Sequence, residues 1–206
     1  ETGVRECLRH FEFPSNIEIA SFSDVPVRGT GLGSSSTFTV GLVNALHRLS
    51  FNRNIDNKEL AELASYIEIT RCNEPIGKQD QYVAAYGGFN TIHFNGNDIR
   101  VKPVDVDPLI IHELGNNLVA FNTGINRNAS EVLSKQIENL KGTLTTELTK
   151  TMVEMAKQSV KILQRRNVDD FGDLLDSAWQ IKKKLADNVS NDKIDEMYSI
   201  AKNNGA

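Results

Sequence analysis

The stretch Pro26-Val27-Arg28-Gly29-Thr30-Gly31-Leu32-Gly33-Ser34-Ser35-Ser36 constrains this chain more than any other. Glycines alternate at 29, 31 and 33, a serine triplet follows, and an apolar helical stripe begins directly behind it. Glycine admits a positive φ and lets the backbone come close to a ligand. The first N–H groups of a helix have no intrahelical partner, so a glycine loop that feeds a helix start can hold an anion. Small hydroxyls at such a place cap the helix or ligate a metal that rides on a phosphate. The stretch therefore reads as a nucleotide phosphate site set between a strand and a helix. Ile17, Ile19 and Ser21 alternate as a short strand before it. Phe38, Gly41, Leu42, Ala45, Leu46 and Leu49 recur at steps of three and four behind it, which makes one apolar helical face.

The rest of the chain supplies the elements that could carry such a loop. Residues 4–11 read as the end of a helix. Asp56 with Glu59 resembles a capping box ahead of the stripe Leu60, Leu63, Ala64 and Ile67. Residues 74–90 form a second polar loop with a short helical segment at Tyr82–Tyr86. Strands are predicted at 90–94, 98–104 and 117–122, with Asn95-Gly96 as a hairpin turn between the first two. The remainder reads as helical, with one stripe through Phe171, Leu174, Leu175, Ala178, Trp179 and Leu185 and another through Ile194, Met197, Tyr198 and Ala201. Strands and helices first, then helices alone, predict an α+β fold divided into residues 1–125 and 126–206.

Bulk properties exclude several classes. The 206 residues suffice for one large or two small domains. A net charge of −4 with scattered Lys and Arg gives no basic field for nucleic acid. No apolar run reaches the ~18 residues of a membrane span, so no membrane partner is expected. The two cysteines, Cys7 and Cys72, form neither a disulfide framework nor a metal-ligand spacing, and a cytoplasmic protein is the expectation.

The commonest owners of a glycine-rich phosphate loop do not fit. No Lys follows Gly33, so the Walker pattern is absent, and Ser34 stands where a dinucleotide fingerprint needs its third glycine. Asp170-Phe171-Gly172 copies a protein-kinase metal motif but has no His-Arg-Asp loop upstream, and Phe171 fits a helical core stripe. Phosphoryl transfer would further require a metal clamp and a group that orients an acceptor hydroxyl. Mg²⁺ takes few protein oxygens, so one hydroxyl and one carboxylate suffice. Glu68, Glu74 and Asp80 are the carboxylates near the second loop. Spacing alone leaves Glu68 open between a ligand and a plain surface residue.

Gly31-Leu32-Gly33-Ser34-Ser35-Ser36 together with Gly77-Lys78-Gln79-Asp80-Gln81 resembles the two ordered motifs of the galactokinase, homoserine kinase, mevalonate kinase and phosphomevalonate kinase (GHMP) superfamily. The longer block Glu74–Asn90 with Thr123-Gly124-Ile125-x-Arg127-x-Ala129-Ser130 is similar to its sugar-kinase branch that acts on D-glycero-D-manno-heptose 7-phosphate. The resemblance implies a two-lobed α+β fold with a left-handed strand–helix–strand unit, here without the family's N-terminal strands and its third, C-terminal glycine motif. It implies that Gly29, Gly31, Leu32, Gly33, Ser34, Ser35 and Ser36 bind the phosphates of ATP, and that Ser35 and Glu68 ligate Mg²⁺. It further implies that Asp80 activates or orients the acceptor hydroxyl, and that Lys78, Gln79 and Arg127 contact the sugar phosphate. A homodimer is compatible with it. Two alternatives stay open: a non-catalytic nucleotide- or sugar-binding module on the same scaffold, and a kinase for another sugar such as galactose or fucose.

Overall fold

The computed structural model describes residues 2–13, 17–22, 31–96, 98–125, 143–186 and 189–206. These divide into two compact units, one running to Pro103 and the other starting at Val104.

The first unit begins with helix α1 (Thr2–His10), followed after the glycine loop by α2 (Ser34–Phe51). Helix α2 starts where Gly33, at φ +70°, turns the chain through the left-handed region, and its first α-helical bond runs from the Thr37 N–H to the Gly33 carbonyl. It stops at Asn52, also left-handed at φ +50°, whose N–H returns to the Arg48 carbonyl. Helix α3 (Asn57–Ser65) is capped by the Asp56 carboxylate, which accepts from the Lys58 and Glu59 backbone N–H groups. It runs straight into a π-helical turn, Tyr66–Arg71, closed by the Cys72 N–H bonding back five residues to Ile67. Helix α4 (Gln79–Tyr86) and an antiparallel hairpin of β1 (Asn90–Asn95) and β2 (Asp98–Pro103) complete the unit. The hairpin register pairs Asn95 with Asp98 at the turn, where Gly96 takes a positive φ as the sequence expects of an Asn-Gly turn.

Cys7 from α1, Val40, Val43 and Leu46 from α2, Leu60 and Ala64 from α3 and Ile67 from the π turn form the principal core. Tyr82 of α4 joins Ala61 and Ile99 in a second cluster that ties the hairpin to α3 and α4. A further clamp sits at the edge of the main core. Glu6 accepts from the guanidinium of Arg71 at 2.9 Å and from Arg9 at 2.7 Å, which joins α1 to the end of the π turn.

The second unit is helical: α5 (Pro108–Asn117), α6 (Thr143–Gln164), α7 (Val168–Lys182) and α8 (Asp192–Asn203). Asp107, Asn167 and Asn191 cap α5, α7 and α8 through side-chain oxygens, and Pro108 occupies the first turn of α5. Ile110, Leu114 and Leu163 make its buried centre, with Phe171 packed against them, so Asp170-Phe171-Gly172 is part of a core-facing helix.

Two local expectations need correction. Residues 17–22 and 118–122 form no strand: Ile17 and Ile19 instead pack against the main core, while Leu118, Val119 and Phe121 are exposed. Alternating apolar residues become a strand only where a neighbouring strand accepts their backbone groups, and among the described residues neither segment has one. Among the described residues the sheet is the single hairpin, and the mix of helices with this small sheet agrees with the expected α+β class. Among those residues no helix is long and apolar enough to cross a membrane.

Candidate active site

The two glycine-containing motifs lie 40 or more residues apart in sequence but meet at the starts of α2 and α4. A Cβ built on Gly33 would stand 3.1 Å from Asp80 Oδ2 and 3.2 Å from its Cγ. The backbone of the first loop thus lies directly against the carboxylate of the second. Any side chain at residue 33 would enter that contact, and the positive φ there favours glycine independently. Gly31 is also left-handed, at φ +68°, but its Cβ position faces open space. The N-cap of α2 is Gly33, which has no side chain of its own to cap the helix, and the positive end of the α2 dipole lies at the loop. Asp80 is exposed in the first turn of α4, where its charge is favoured by that helix dipole.

Glu68 sits behind this contact. It lies in the π turn, four residues after the buried Ala64 and so on the same face as Ala61, Ala64 and Ser65, and it is 4% exposed. The surface reading of Glu68 is therefore corrected: it is buried. Its Oε1 accepts from the Ser35 hydroxyl at 3.3 Å, and its Oε2 accepts from the side-chain amide of Gln81 at 2.5 Å. The same amide nitrogen donates to the Ser36 hydroxyl at 3.1 Å. Two hydroxyls from the α2 start, one buried carboxylate from the π turn and one amide from α4 therefore form a single network. Next to Gln81 on α4, Tyr82 is buried in the separate cluster with Ala61 and Ile99, where desolvation first and then Glu62 push its phenol up to about 12.

Gly33, Ser35, Ser36, Glu68 and Asp80 are thus brought together. Ser34 lies in the same first turn of α2, and Leu32 points outward, 70% exposed. Lys78 and Gln79 are exposed at the start of α4 beside Asp80. Gly29 and Arg127 lie outside the described residues, and only Thr123–Ile125 of the later block lies within them, where Asn122 and Thr123 side chains accept local backbone bonds. Gln81 is the member that reading by residue type passes over, because an amide has no charge and no nucleophile. The usable signal was its place on the buried face of α4, next to Tyr82.

Ser35 Oγ and Glu68 Oε1 are two hard oxygens within one hydrogen bond of each other, a donor set that suits Mg²⁺ when phosphate oxygens and waters supply the rest. Among the described residues no cluster of three or more His, Cys, Asp or Glu exists, so an all-protein metal cage is not available there.

Residues 2–88 match the GHMP kinases N terminal domain. The chain is 35% identical over 198 residues to a D-glycero-alpha-D-manno-heptose 7-phosphate kinase of Campylobacter jejuni, covering 94% of this chain and 57% of that protein. It is 29% identical over 205 residues to a bifunctional fucokinase/GDP-fucose pyrophosphorylase of Arabidopsis thaliana, covering 97% of this chain and 19% of that protein. Among solved structures it is similar, with a TM-score of 0.64 and 27% identity, to a D-glycero-D-manno-heptose 1-phosphate kinase from Bacteroides thetaiotaomicron, covering 89% of this chain and 55% of that one. The chain therefore spans little more than half the length of the heptose kinases it matches. Residues 2–88, which match the GHMP kinases N terminal domain, hold Gly33, Ser35, Glu68, Gln81 and Asp80, and the chain as a whole is similar to sugar kinases.

Proposed function

We propose that the chain carries the phosphoryl-transfer site of an ATP-dependent sugar kinase, whose acceptor is the anomeric hydroxyl of D-glycero-D-manno-heptose 7-phosphate. The observation that carries this reading is the contact between Gly33 and the Asp80 carboxylate. It puts a carboxylate at the mouth of an anion-holding helix start, as transfer from a bound phosphate to a hydroxyl requires. In this reading the backbone N–H groups of residues 29–36 hold the ATP phosphates. Asp80 takes the hydroxyl proton as the acceptor oxygen bonds to the γ-phosphorus and the bond to ADP breaks. Ser35 and Glu68 would hold Mg²⁺, which when bound offsets negative charge on the phosphates. Lys78, Gln79 and Arg127 contact the sugar phosphate, Arg127 as a bidentate donor. Residues 1–125 act as the nucleotide-binding part and 126–206 as the helical part of a second domain. A cytoplasmic location follows from the use of ATP.

The names of the two heptose-kinase relatives put the phosphate at different ends of the sugar, and the plant relative's name includes fucose. A coupled ADP-release assay therefore uses heptose 7-phosphate, heptose 1-phosphate, fucose and galactose side by side. Turnover with heptose 7-phosphate and a product that carries phosphate at both ends is expected. Asp80→Asn is expected to lower turnover by about 10²–10⁴-fold while ATP binding persists. ATP binding without turnover on any sugar would instead favour a non-catalytic binding module.

A further inference from the structure

Gln81 is completely buried, yet its side-chain amide is spent on two polar groups rather than on packing. Its amide nitrogen donates to Glu68 Oε2 at 2.5 Å and to Ser36 Oγ at 3.1 Å, while its own carbonyl oxygen, Oε1, has no partner among the described residues. A buried amide oxygen left without a donor costs about 1–3 kcal/mol. An ionised carboxylate can only accept, so the amide must present its nitrogen to Glu68, and the unpaired oxygen is the consequence. The arrangement leaves one orphan oxygen in exchange for pairing the buried Glu68 carboxylate, which an apolar side chain of the same size would leave without this donor. It makes sense if the orientation of Glu68 is what is being held. Without Gln81 the carboxylate would keep the Ser35 hydroxyl alone and be free to rotate about its last torsion.

We propose that Gln81 is a positioning residue that fixes the Glu68 carboxylate so that Oε1 stays beside Ser35 for the metal of the nucleotide complex. The proposal rests on the phosphoryl-transfer reading above. Gln81 itself touches neither nucleotide nor sugar in this scheme. Its effect passes through Glu68, and Ser36 ties the same amide to the loop that holds the phosphates.

The test measures binding of a non-hydrolysable ATP analogue by calorimetry, with excess Mg²⁺ and with chelator, to the wild-type protein and to Gln81→Met, which keeps chain length and removes both donors. The wild type is expected to bind more tightly with Mg²⁺. Gln81→Met is expected to lose tenfold or more of that Mg²⁺-dependent gain, with metal-free affinity within twofold of wild type. A purely structural role would weaken both affinities together, and that result overturns the proposal, as does an unchanged Mg²⁺-dependent gain. A wild type whose affinity ignores Mg²⁺ overturns the metal part of the underlying reading and this inference with it. Glu68→Gln alone and with Gln81→Met keeps the test open if the single Gln81 variant does not fold, because neither strands a buried charge. Equal Mg²⁺ dependence in these two supports action through Glu68, and a further loss in the double variant overturns it.

Discussion

Gly33→Ala probes the junction of the two motifs directly. Two costs can be separated. An alanine at φ +70° takes up the left-handed conformation at roughly 1–2 kcal/mol. The new methyl also meets Asp80, 3.1 Å from Oδ2 and 3.2 Å from Cγ. Carbon pairs prefer ~3.5–4.0 Å, so the contact must open by about 0.3–0.8 Å. Asp80 is exposed, so its side chain yields more readily than the backbone. A misplacement of about 1 Å costs on the order of 10²-fold, so a shift of a few tenths of an ångström is expected to lower kcat by about 3–10-fold. Gly31→Ala is the control, since Gly31 has nearly the same φ, +68°, with nothing within 4 Å of its Cβ position. Urea denaturation should show comparable losses of stability for both variants. The ADP-release assay at saturating substrates should show the additional kcat loss only for Gly33→Ala. Equal kcat losses in the two variants, or a wild-type kcat in Gly33→Ala, would refute the idea that Asp80 is placed by its contact with residue 33.

Other outcomes follow from the core. His47 is 2% exposed, has no hydrogen-bond partner on either ring nitrogen among the described residues, and lies against the rings of Phe11 and Phe51, so His47→Leu is expected to raise stability by about 1 kcal/mol. A loss of stability in urea titrations would count against this. Glu6 is held below its ordinary 4.5 first by the Arg71 hydrogen bond and then by Arg9, against desolvation that pulls the other way. A depressed carboxylate contributes stability above its unfolded value and loses it as pH falls through the folded value, so Glu6→Gln should flatten the fall in stability below about pH 4.5. An unaltered acid limb in thermal melts would contradict it. Burial pushes the Cys7 thiol up to about 12, so a thiol reagent near neutral pH should modify Cys7 only on unfolding, and rapid labelling of both cysteines in the native protein would contradict the packing of α1.

Much of the site was legible in residue order. The alternating glycines marked the loop because the positive φ found at 31 and 33 favours glycine. Asp80 was marked by its place three residues after Gly77, although helix α4 begins earlier than the expected Tyr82 and takes Asp80 into its first turn. The caps at Asp56 and the Asn-Gly turn followed from local chemistry that needs no distant partner. Glu68 was ambiguous for a physical reason. The apolar stripe marked only part of the buried face, which Ala61, Ser65 and Glu68 complete, and a small or charged residue does not announce burial by its type. Gln81 escaped because its role is defined by a carboxylate 13 residues away, not by its own type. The strand expected at 117–122 was misread because alternation reports a face and not a partner. Leu118, Val119 and Phe121 remain exposed instead.

The π turn at Tyr66–Arg71 gives the site a dependence on chain length that motif residues do not reveal. Such a turn holds one residue more than an α-turn, and deletion of one residue would let α3 continue as a regular helix with its backbone bonds intact. Positions beyond the turn would keep nearly their angle about the axis, because the wide turn has already taken up the extra residue, while those within it would shift. The Glu68 carboxylate would then lose the placement that sets it beside Ser35, although no motif residue had been substituted. Two chains with the same Gly33, Ser35, Glu68 and Asp80 could therefore differ in competence through a single deletion on a helix. An alignment that shifts a gap across this turn would misassign the carboxylate.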